Sequence, residues 1–217
     1  MVLVGPPGAG KTTVGRVLAR RMGVTFTDVD ALIVERAGKP IASIFTEDGE
    51  DAFRALEREL VAEALTTARG VLALGGGSVL AASTRERLRG HRVVLLWVGL
   101  VDGIRRTGMS TARPLLAGVN PRATFKALLD ARAPLYREVA TVEVDTSRRS
   151  ANQVVRAVLV GVAQAHPGTL DDALVRAALE PTPPYGTPRA TSAADPLDVP
   201  TPVAGTPLPD PFVRPRP

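Results

Sequence analysis

The feature that most constrains the fold is a glycine-rich segment near the start of the chain. The sequence Gly5-Pro-Pro-Gly-Ala-Gly-Lys-Thr12 matches the pattern G-x-x-x-x-G-K-[S/T]; it follows a short apolar run and precedes a helical pattern that extends to Met22. In such a loop the backbone N–H groups turn toward phosphate oxygens, the lysine reaches the terminal phosphates and the threonine hydroxyl joins the shell of a Mg²⁺ ion. An accidental glycine-rich turn is the alternative, and the flanking strand and helix patterns disfavour it. We therefore predict nucleotide contacts from Gly8, Ala9, Gly10, Lys11, Thr12 and Thr13.

Strand and helix patterns alternate over roughly the first 165 residues. Short apolar runs typical of strands occupy 2–4, 24–27, 71–74, 93–98 and 141–144. Helical patterns occupy 12–22, 31–37, 41–45, 51–65, 122–132 and 151–162. This alternation predicts an α/β fold with a parallel sheet and right-handed crossovers.

The last part of the chain has a different composition. Thirteen of the 19 prolines lie within residues 167–217, and only 170–179 has the pattern of a short helix. Such a segment buries too little apolar surface to fold by itself. We predict a folded domain over 1–166 and a disordered proline-rich tail over 167–217.

Composition excludes several classes of protein. The chain has no cysteine, which excludes disulfides and thiolate metal sites and suits a reducing cytoplasm. We expect no membrane span, because no run of 18 apolar residues occurs, and no signal peptide at the N-terminus. The net charge of +5 is not gathered into one dense basic run, and aromatic residues make up 4%, so we do not expect nucleic-acid binding. The many arginines either serve a polyanionic ligand or reflect genome composition.

Carboxylates and glycines follow two of the predicted strands. Asp28 and Asp30 come directly after the second strand, at the edge where open α/β sheets bind ligands. They either contact Mg²⁺ and an acceptor hydroxyl or cap the next helix, and their spacing does not decide between these roles. Gly75–Gly77 follows the third strand, where a glycine run permits either close approach to a ligand or a plain turn.

Arginines mark three further segments. Arg54 and Glu57 share a helix face, for which a surface ion pair is the simpler interpretation. The segment 105–116 resembles a mobile loop that closes over phosphates, with a solvated connector as the alternative. Arg132 precedes Pro134, which we expect to disrupt a helix, so that the arginine faces either a cleft or solvent.

Taken together, these segments resemble the shikimate kinase family from Met1 to about Ala165. The resemblance rests on six motifs in order: the phosphate loop, Asp-x-Asp, Phe-Arg-x-x-Glu, Gly-Gly-Gly, Arg-Pro-Leu-Leu and Arg-Ala-Pro-Leu-Tyr. The chain departs from the family at Ser150-Ala151, where relatives often have Asn-Pro, and in its proline-rich tail. The resemblance implies a three-layer α/β/α P-loop core, with a five-stranded parallel sheet in the order 2-3-1-4-5.

The resemblance also implies an activity and residue roles. The activity is transfer of the γ-phosphate of ATP to the 3-hydroxyl of shikimate, on the route to chorismate and aromatic amino acids. Lys11, Asp30 and Arg113 would be catalytic, and Asp28 would support Mg²⁺ through water, beside Thr12. Contacts to the nucleotide would also come from Arg106, Arg113 and Arg149. Contacts to shikimate would come from Asp30, Arg54, Gly75, Gly76, Gly77 and Arg132.

Two other functions are compatible with a phosphate loop in an α/β fold. One is another small-molecule kinase of the same fold: a gluconate kinase would lack the Phe-Arg-x-x-Glu and Arg-Pro-Leu-Leu motifs, and an adenylate kinase would need a nucleotide-sized acceptor site and a different lid. A nucleotide-binding regulatory module would not need Lys11, Thr12, Asp28, Asp30 and Arg113 together. We expect a cytoplasmic monomer whose partners are shikimate and Mg-ATP.

Overall fold

Five short strands form one parallel sheet. They are β1 (Val2–Val4), β2 (Thr25–Asp28), β3 (Gly70–Ala73), β4 (Val93–Trp97) and β5 (Val142–Asp145). Their spatial order is β2-β3-β1-β4-β5, and Val2 lies opposite Leu72 on one side and Val93 on the other. The predicted fold class and strand order are therefore confirmed.

The computed structural model describes residues 1–107 and 120–179. Within these ranges the helices are α1 (Lys11–Met22), α2 (Val29–Ala37), α3 (Ile41–Ser43), α4 (Gly49–Thr67), α5 (Ala82–Leu88), α6 (Leu100–Thr107), α7 (Pro121–Val139), α8 (Ala151–Ala165) and α9 (Asp172–Leu179). A π turn at Ile44–Asp48 and a 3₁₀ turn at Ser78–Leu80 complete the regular structure. The predicted lid arginine, Arg113, and the proline-rich segment beyond residue 179 lie outside the described residues.

The sheet separates two apolar layers. Val2 and Val4 pack into one layer and Leu3 into the other, as successive side chains of a strand must. The first layer is covered by α2, α4, α5 and α7, and the second by α1 and α8. This is the three-layer arrangement expected of a parallel sheet whose crossovers are helices.

Several boundaries differ from the sequence-based expectations. The pattern predicted neither α5 nor α6, because both are short and mostly polar. The prediction that Pro134 disrupts a helix is wrong: α7 continues through it to Val139. A proline costs a helix one hydrogen bond and introduces a steric clash. The fully buried side chain of Tyr136, two residues later, is held in the core, and burial of that size offsets such a cost.

The predicted short helix near the tail is present and packs on the domain. Leu170 and Leu174 contact the apolar layer beneath α8, and Arg92 Nη1 donates to the carbonyl of Thr169 at 3.2 Å. Among the helices in the described ranges, none has the length and apolarity needed to cross a membrane.

Candidate active site

The phosphate loop connects β1 to α1 at the carboxyl edge of the sheet. Gly8 and Gly10 have φ angles of 77° and 87°, a region that favours glycine. A side chain at Gly5 would lie 2.2 Å from the carbonyl oxygen of Leu96, so only glycine fits against β4 there. Lys11 Nζ donates to the carbonyls of Gly5 at 2.7 Å and Pro6 at 3.2 Å, which holds its ammonium group across the loop.

Asp28 links the phosphate loop to the next strand. Its Oδ2 accepts a hydrogen bond from Thr12 Oγ1 at 2.7 Å, and its Oδ1 accepts one from the backbone N–H of Asp30 at 3.0 Å. Of the two roles that the sequence left open, helix capping is observed: one oxygen caps α2, and the other meets the loop threonine. A hydroxyl and a carboxylate are the hard oxygen donors that suit Mg²⁺, so these residues fit the ion that the resemblance implies.

A polar cavity of about 340 Å³ opens over the loop. Its lining includes Lys11, Thr12, Asp28, Asp30 and Arg106. The helix N-terminus and Lys11 make one wall positive, whereas the two aspartates make the facing wall negative. Such a cavity suits a polyphosphate together with a cation and a hydroxyl acceptor.

A second cavity, of about 190 Å³, adjoins the first and shares Arg106 with it. Arg149, Ala151 and Val154 line its other side. Arg106 is fixed there, because its guanidinium donates to Thr146 Oγ1 at 3.0 Å and to the Thr146 carbonyl at 2.7 Å. The two arginines predicted on the adenine side therefore line one cavity with mixed polar and apolar walls.

The positive charges near this second cavity contribute to a lowered pKa of the Asp145 carboxyl group. Partial burial by itself would raise the pKa of Asp145, but hydrogen bonds from Ser147 and the positive charges of Arg149 and Arg106 outweigh it and lower that pKa. Asp145 therefore stays ionised and balances part of the arginine charge.

Arg54 and Glu57 form an ion pair on α4 in which the carboxylate is buried and the guanidinium is partly buried. Arg54 Nη1 donates to Glu57 Oε2 at 2.6 Å, and Ser78 Oγ donates to Glu57 Oε1 at 2.7 Å. Glu57 is only 2% exposed, so the interpretation of this motif as a surface ion pair is wrong. A buried carboxylate held by two donors fixes the guanidinium in one direction.

The triple-glycine turn after β3 brings the two ends of the site together. A side chain on Gly75 would lie 2.5 Å from Glu57 Oε1 and 2.9 Å from Asp30 Oδ1. One on Gly77 would lie 2.3 Å from Arg54 Nη1, and one on Gly76 would lie 3.2 Å from Pro7 of the phosphate loop. The absence of side chains is what lets α2, α4 and the phosphate loop converge on this turn.

The carbonyl of Gly76 receives two donors from α7. Arg132 Nη1 donates to it at 3.0 Å, and the hydroxyl of Tyr136 donates to it as well. Arg132 therefore faces the turn and not bulk solvent, which settles the alternative that the sequence left open. Sequence reasoning did not single out Tyr136 as a site residue, although its spacing of four residues from Arg132 places both on one helix face.

The fold and the site together define a P-loop phosphotransferase with a small acceptor site beside the phosphate loop. A family model described as shikimate kinase matches residues 7–162. The chain is 69% identical to shikimate kinase of Saccharopolyspora erythraea over 67% of its own length and 83% of that protein. It is 57% identical to shikimate kinase of Thermobifida fusca over 72% of its length and 91% of that protein.

Solved structures agree with this assignment. The structure of shikimate kinase from Acinetobacter baumannii in complex with shikimate superimposes with a TM-score of 0.74 and 38% identity, covering 76% of this chain and 93% of that one. The chain belongs to the shikimate kinase family. It is an ATP-dependent kinase, and its function is that of a shikimate kinase.

Proposed function

We propose that the chain transfers the γ-phosphate of Mg-ATP to the 3-hydroxyl of shikimate, using the residues that surround the triple-glycine turn. The observation that carries the proposal is the convergence on Gly75–Gly77 of Asp30, Arg54 and Arg132, with Pro7 of the phosphate loop on the other side. An acceptor bound at this turn lies next to the phosphates, as in-line transfer requires.

On the nucleotide side, the loop amides and Lys11 bind the β- and γ-phosphates, and Arg106 and Arg149 flank the base. Thr12 and Asp28 would hold the magnesium ion, Asp28 through water. When bound, the ion neutralises charge on the β- and γ-oxygens. Arg113, outside the described residues, is proposed to supply a further positive charge to the transferring phosphoryl group.

On the acceptor side, Arg54 and Arg132 are proposed to bind the shikimate carboxylate. Arg54 is held by Glu57 through Nη1 and by the exposed Glu50, whose Oε1 accepts from Nε at 3.2 Å and from Nη2 at 3.1 Å. Arg132 is held by the Gly76 carbonyl. Each guanidinium retains N–H donors beyond these bonds. Asp30 is proposed to accept the proton of the attacking hydroxyl, while the backbone of the glycine turn lies close enough to contact the ring. Phosphoryl transfer is loose, so positioning matters more than a strong base.

The proposal is tested by measuring ADP release from the purified chain with shikimate, gluconate and nucleoside monophosphates as acceptors. Of these acceptors, we expect only shikimate to be phosphorylated. Lys11→Ala should lose two or more decades of turnover, as is typical when a fixed charge on a transferring group is removed. Lys126→Ala, which breaks only an exposed ion pair with Asp130, should retain turnover within about threefold. Activity on gluconate or a nucleotide, combined with no activity on shikimate, would refute the assignment.

We further propose that the chain acts as a cytoplasmic monomer, with a kinase domain over 1–166 and the segment 167–217 as an appendage whose first helix, α9, packs on that domain. In the described residues, the groups proposed to bind the acceptor all come from this one chain. A chain without cysteine requires no oxidising compartment. Sedimentation at micromolar concentration tests the monomer. A stable dimer would contradict it.

A further inference from the structure

Tyr136 is the largest fully buried side chain among the described residues, yet its hydroxyl is used in the site. The phenol lies in the core on α7 and donates to the Gly76 carbonyl, 60 residues earlier in the chain. Arg132, one turn before it on the same helix, donates to the same oxygen at 3.0 Å. One backbone carbonyl of the glycine turn is therefore held by two donors from one helix face.

The charges around Tyr136 belong to the acceptor end of the site. Burial raises the pKa of its phenol to about 12, while the positive charges of Arg132 and Arg54 oppose the rise and Glu57 adds to it. The phenol is accordingly a neutral donor at every working pH. Its bond to the carbonyl persists across the range in which a kinase operates.

Fixing the Gly76 carbonyl also fixes the rest of its peptide group, including the N–H of Gly77. The peptide group is planar and trans, so the N–H of Gly77 must point away from Tyr136 when the Gly76 carbonyl points toward it. Three consecutive glycines have wide conformational freedom. Backbone N–H groups of Ser78 and Leu80 hold the carbonyls of Gly75 and Gly77, at 3.2 Å and 2.9 Å, and the Gly76 carbonyl between them is held by the donors from α7. A side chain on Gly76 would meet Pro7 of the phosphate loop, and one on Gly77 would meet Arg54, so both groups lie against the turn. The orientation of the Gly76–Gly77 peptide group therefore determines which backbone atoms face the space between the proposed acceptor arginines and the phosphate loop.

We propose that Tyr136 is a positioning residue for the acceptor. Its hydroxyl holds the Gly75–Gly77 turn, including the Gly76 carbonyl that Arg132 also contacts, in the geometry that binds shikimate. The inference rests on the proposed acceptor site and adds a residue to it that does not itself touch the substrate. A purely structural role is the competing explanation. The ring would then matter for core packing and the hydroxyl would only satisfy a buried carbonyl.

The test compares Tyr136→Phe, which keeps the ring, with a matched control. Thr141→Val also removes one hydroxyl-to-carbonyl hydrogen bond, from Thr141 Oγ1 to the Val93 carbonyl at 3.0 Å, but it does so away from the site. We expect Tyr136→Phe to raise the KM for shikimate about tenfold, with the KM for ATP within about twofold. The control should change neither constant.

Amide hydrogen exchange of the peptide that spans Gly75–Gly77 gives a second readout that does not depend on the acceptor's identity. Exchange there should accelerate at least about tenfold in Tyr136→Phe and stay unchanged in Thr141→Val. An unchanged KM for shikimate, or unchanged exchange in the turn, would overturn the proposal even if the melting temperature fell. If the parent enzyme rejected shikimate, the proposed function would fail, and exchange alone would decide whether Tyr136 positions the turn.

A complementary variant covers the case in which Tyr136→Phe does not fold. Arg132→Ala removes the other donor to the Gly76 carbonyl and leaves Tyr136 as its anchor. Exchange in the turn should then stay within about threefold of the parent. Full loss of protection in this variant would show that Arg132, and not Tyr136, holds the turn, which would overturn the proposal.

Discussion

Thr12 and Asp28, on two different elements of the fold, are joined by a hydrogen bond of 2.7 Å from Oγ1 to Oδ2. The other oxygen of Asp28 caps α2 through the N–H of Asp30. One carboxylate therefore aligns the start of α1 with the start of α2, and both helices direct their N-terminal ends toward the phosphate cavity. This single carboxylate therefore positions both Thr12, a proposed magnesium ligand, and Asp30, the proposed base.

We predict that Asp28→Asn separates the capping of α2 from the binding of Mg²⁺. The amide keeps an oxygen for the cap but loses the charge that would attract the ion, so the Mg²⁺ concentration for half-maximal turnover should rise at least about tenfold. Asp171→Asn is the matched control, because Asp171 caps α9 through the N–H of Ala173 and does not line the cavity. Equal magnesium dependence in parent and Asp28→Asn would remove Asp28 from the metal site.

The acceptor arginines should affect shikimate and not ATP. A charge-assisted hydrogen bond in a partly desolvated cleft contributes roughly 1.5–3 kcal/mol, so Arg54→Ala and Arg132→Ala should each weaken shikimate binding about tenfold to a hundredfold. Arg54→Lys should not restore binding fully, because an ammonium group lacks the planar fork. Calorimetric titration with both ligands measures this, and equal weakening of shikimate and ATP would indicate a folding defect instead.

Two arginines in ion pairs, Arg54 and Arg137, should differ in their effect on the stability of the fold. Arg54→Ala leaves Glu57 buried without its cation, which costs roughly 3 kcal/mol of the free energy of unfolding. Arg137→Ala breaks an exposed pair with Glu143 and should change the free energy of unfolding far less than Arg54→Ala does. Urea denaturation of the two variants compares them. Similar losses would mean that Glu57 finds another partner when Arg54 is absent.

The buried phenol predicts a dependence of stability on alkaline pH. The pKa of Tyr136 is raised to about 12 in the folded chain, against about 10 in an unfolded one, so the folded state keeps a proton that the unfolded state loses. This contribution is complete below pH 10 and is lost as pH rises toward 12, by about 1.4 kcal/mol per pH unit. The unfolding free energy of the parent, minus that of Tyr136→Phe, should therefore decline between pH 10 and 11.5. A constant difference would contradict the raised pKa.

Two truncations test where the folded unit ends. Because Leu170 and Leu174 pack against the apolar layer beneath α8, a chain ending at His166 should melt several degrees below the parent. A chain ending at Leu179 should keep the melting temperature and the shikimate kinase activity of the full protein. Equal melting temperatures for both truncations would support the domain boundary at residue 166. Loss of activity in the longer truncation would assign a role to the proline-rich segment.

The sequence by itself determined the class of fold and the nucleotide end of the site. The glycine loop, its lysine and its threonine act through local backbone geometry, and a strand before it and a helix after it are readable from short-range periodicity. The parallel sheet follows from the same alternation. The motifs that resemble the shikimate kinases also identified Arg54 and Arg132 as candidates, although their directions stayed open.

Tertiary structure decided which residues meet at the acceptor end. Whether Arg54 and Glu57 are buried depends on the turn that packs over α4, and Ser78, which completes their network, lies 21 residues away from Glu57. Local sequence patterns likewise did not predict that α7 continues past Pro134. The burial of the Tyr136 ring, two residues later, offsets the cost of a proline inside the helix. Tyr136 became a site residue only when the fold brought its hydroxyl to Gly76. Contacts between distant segments carry no periodic signal, and they emerge only once the sheet fixes where each helix lies.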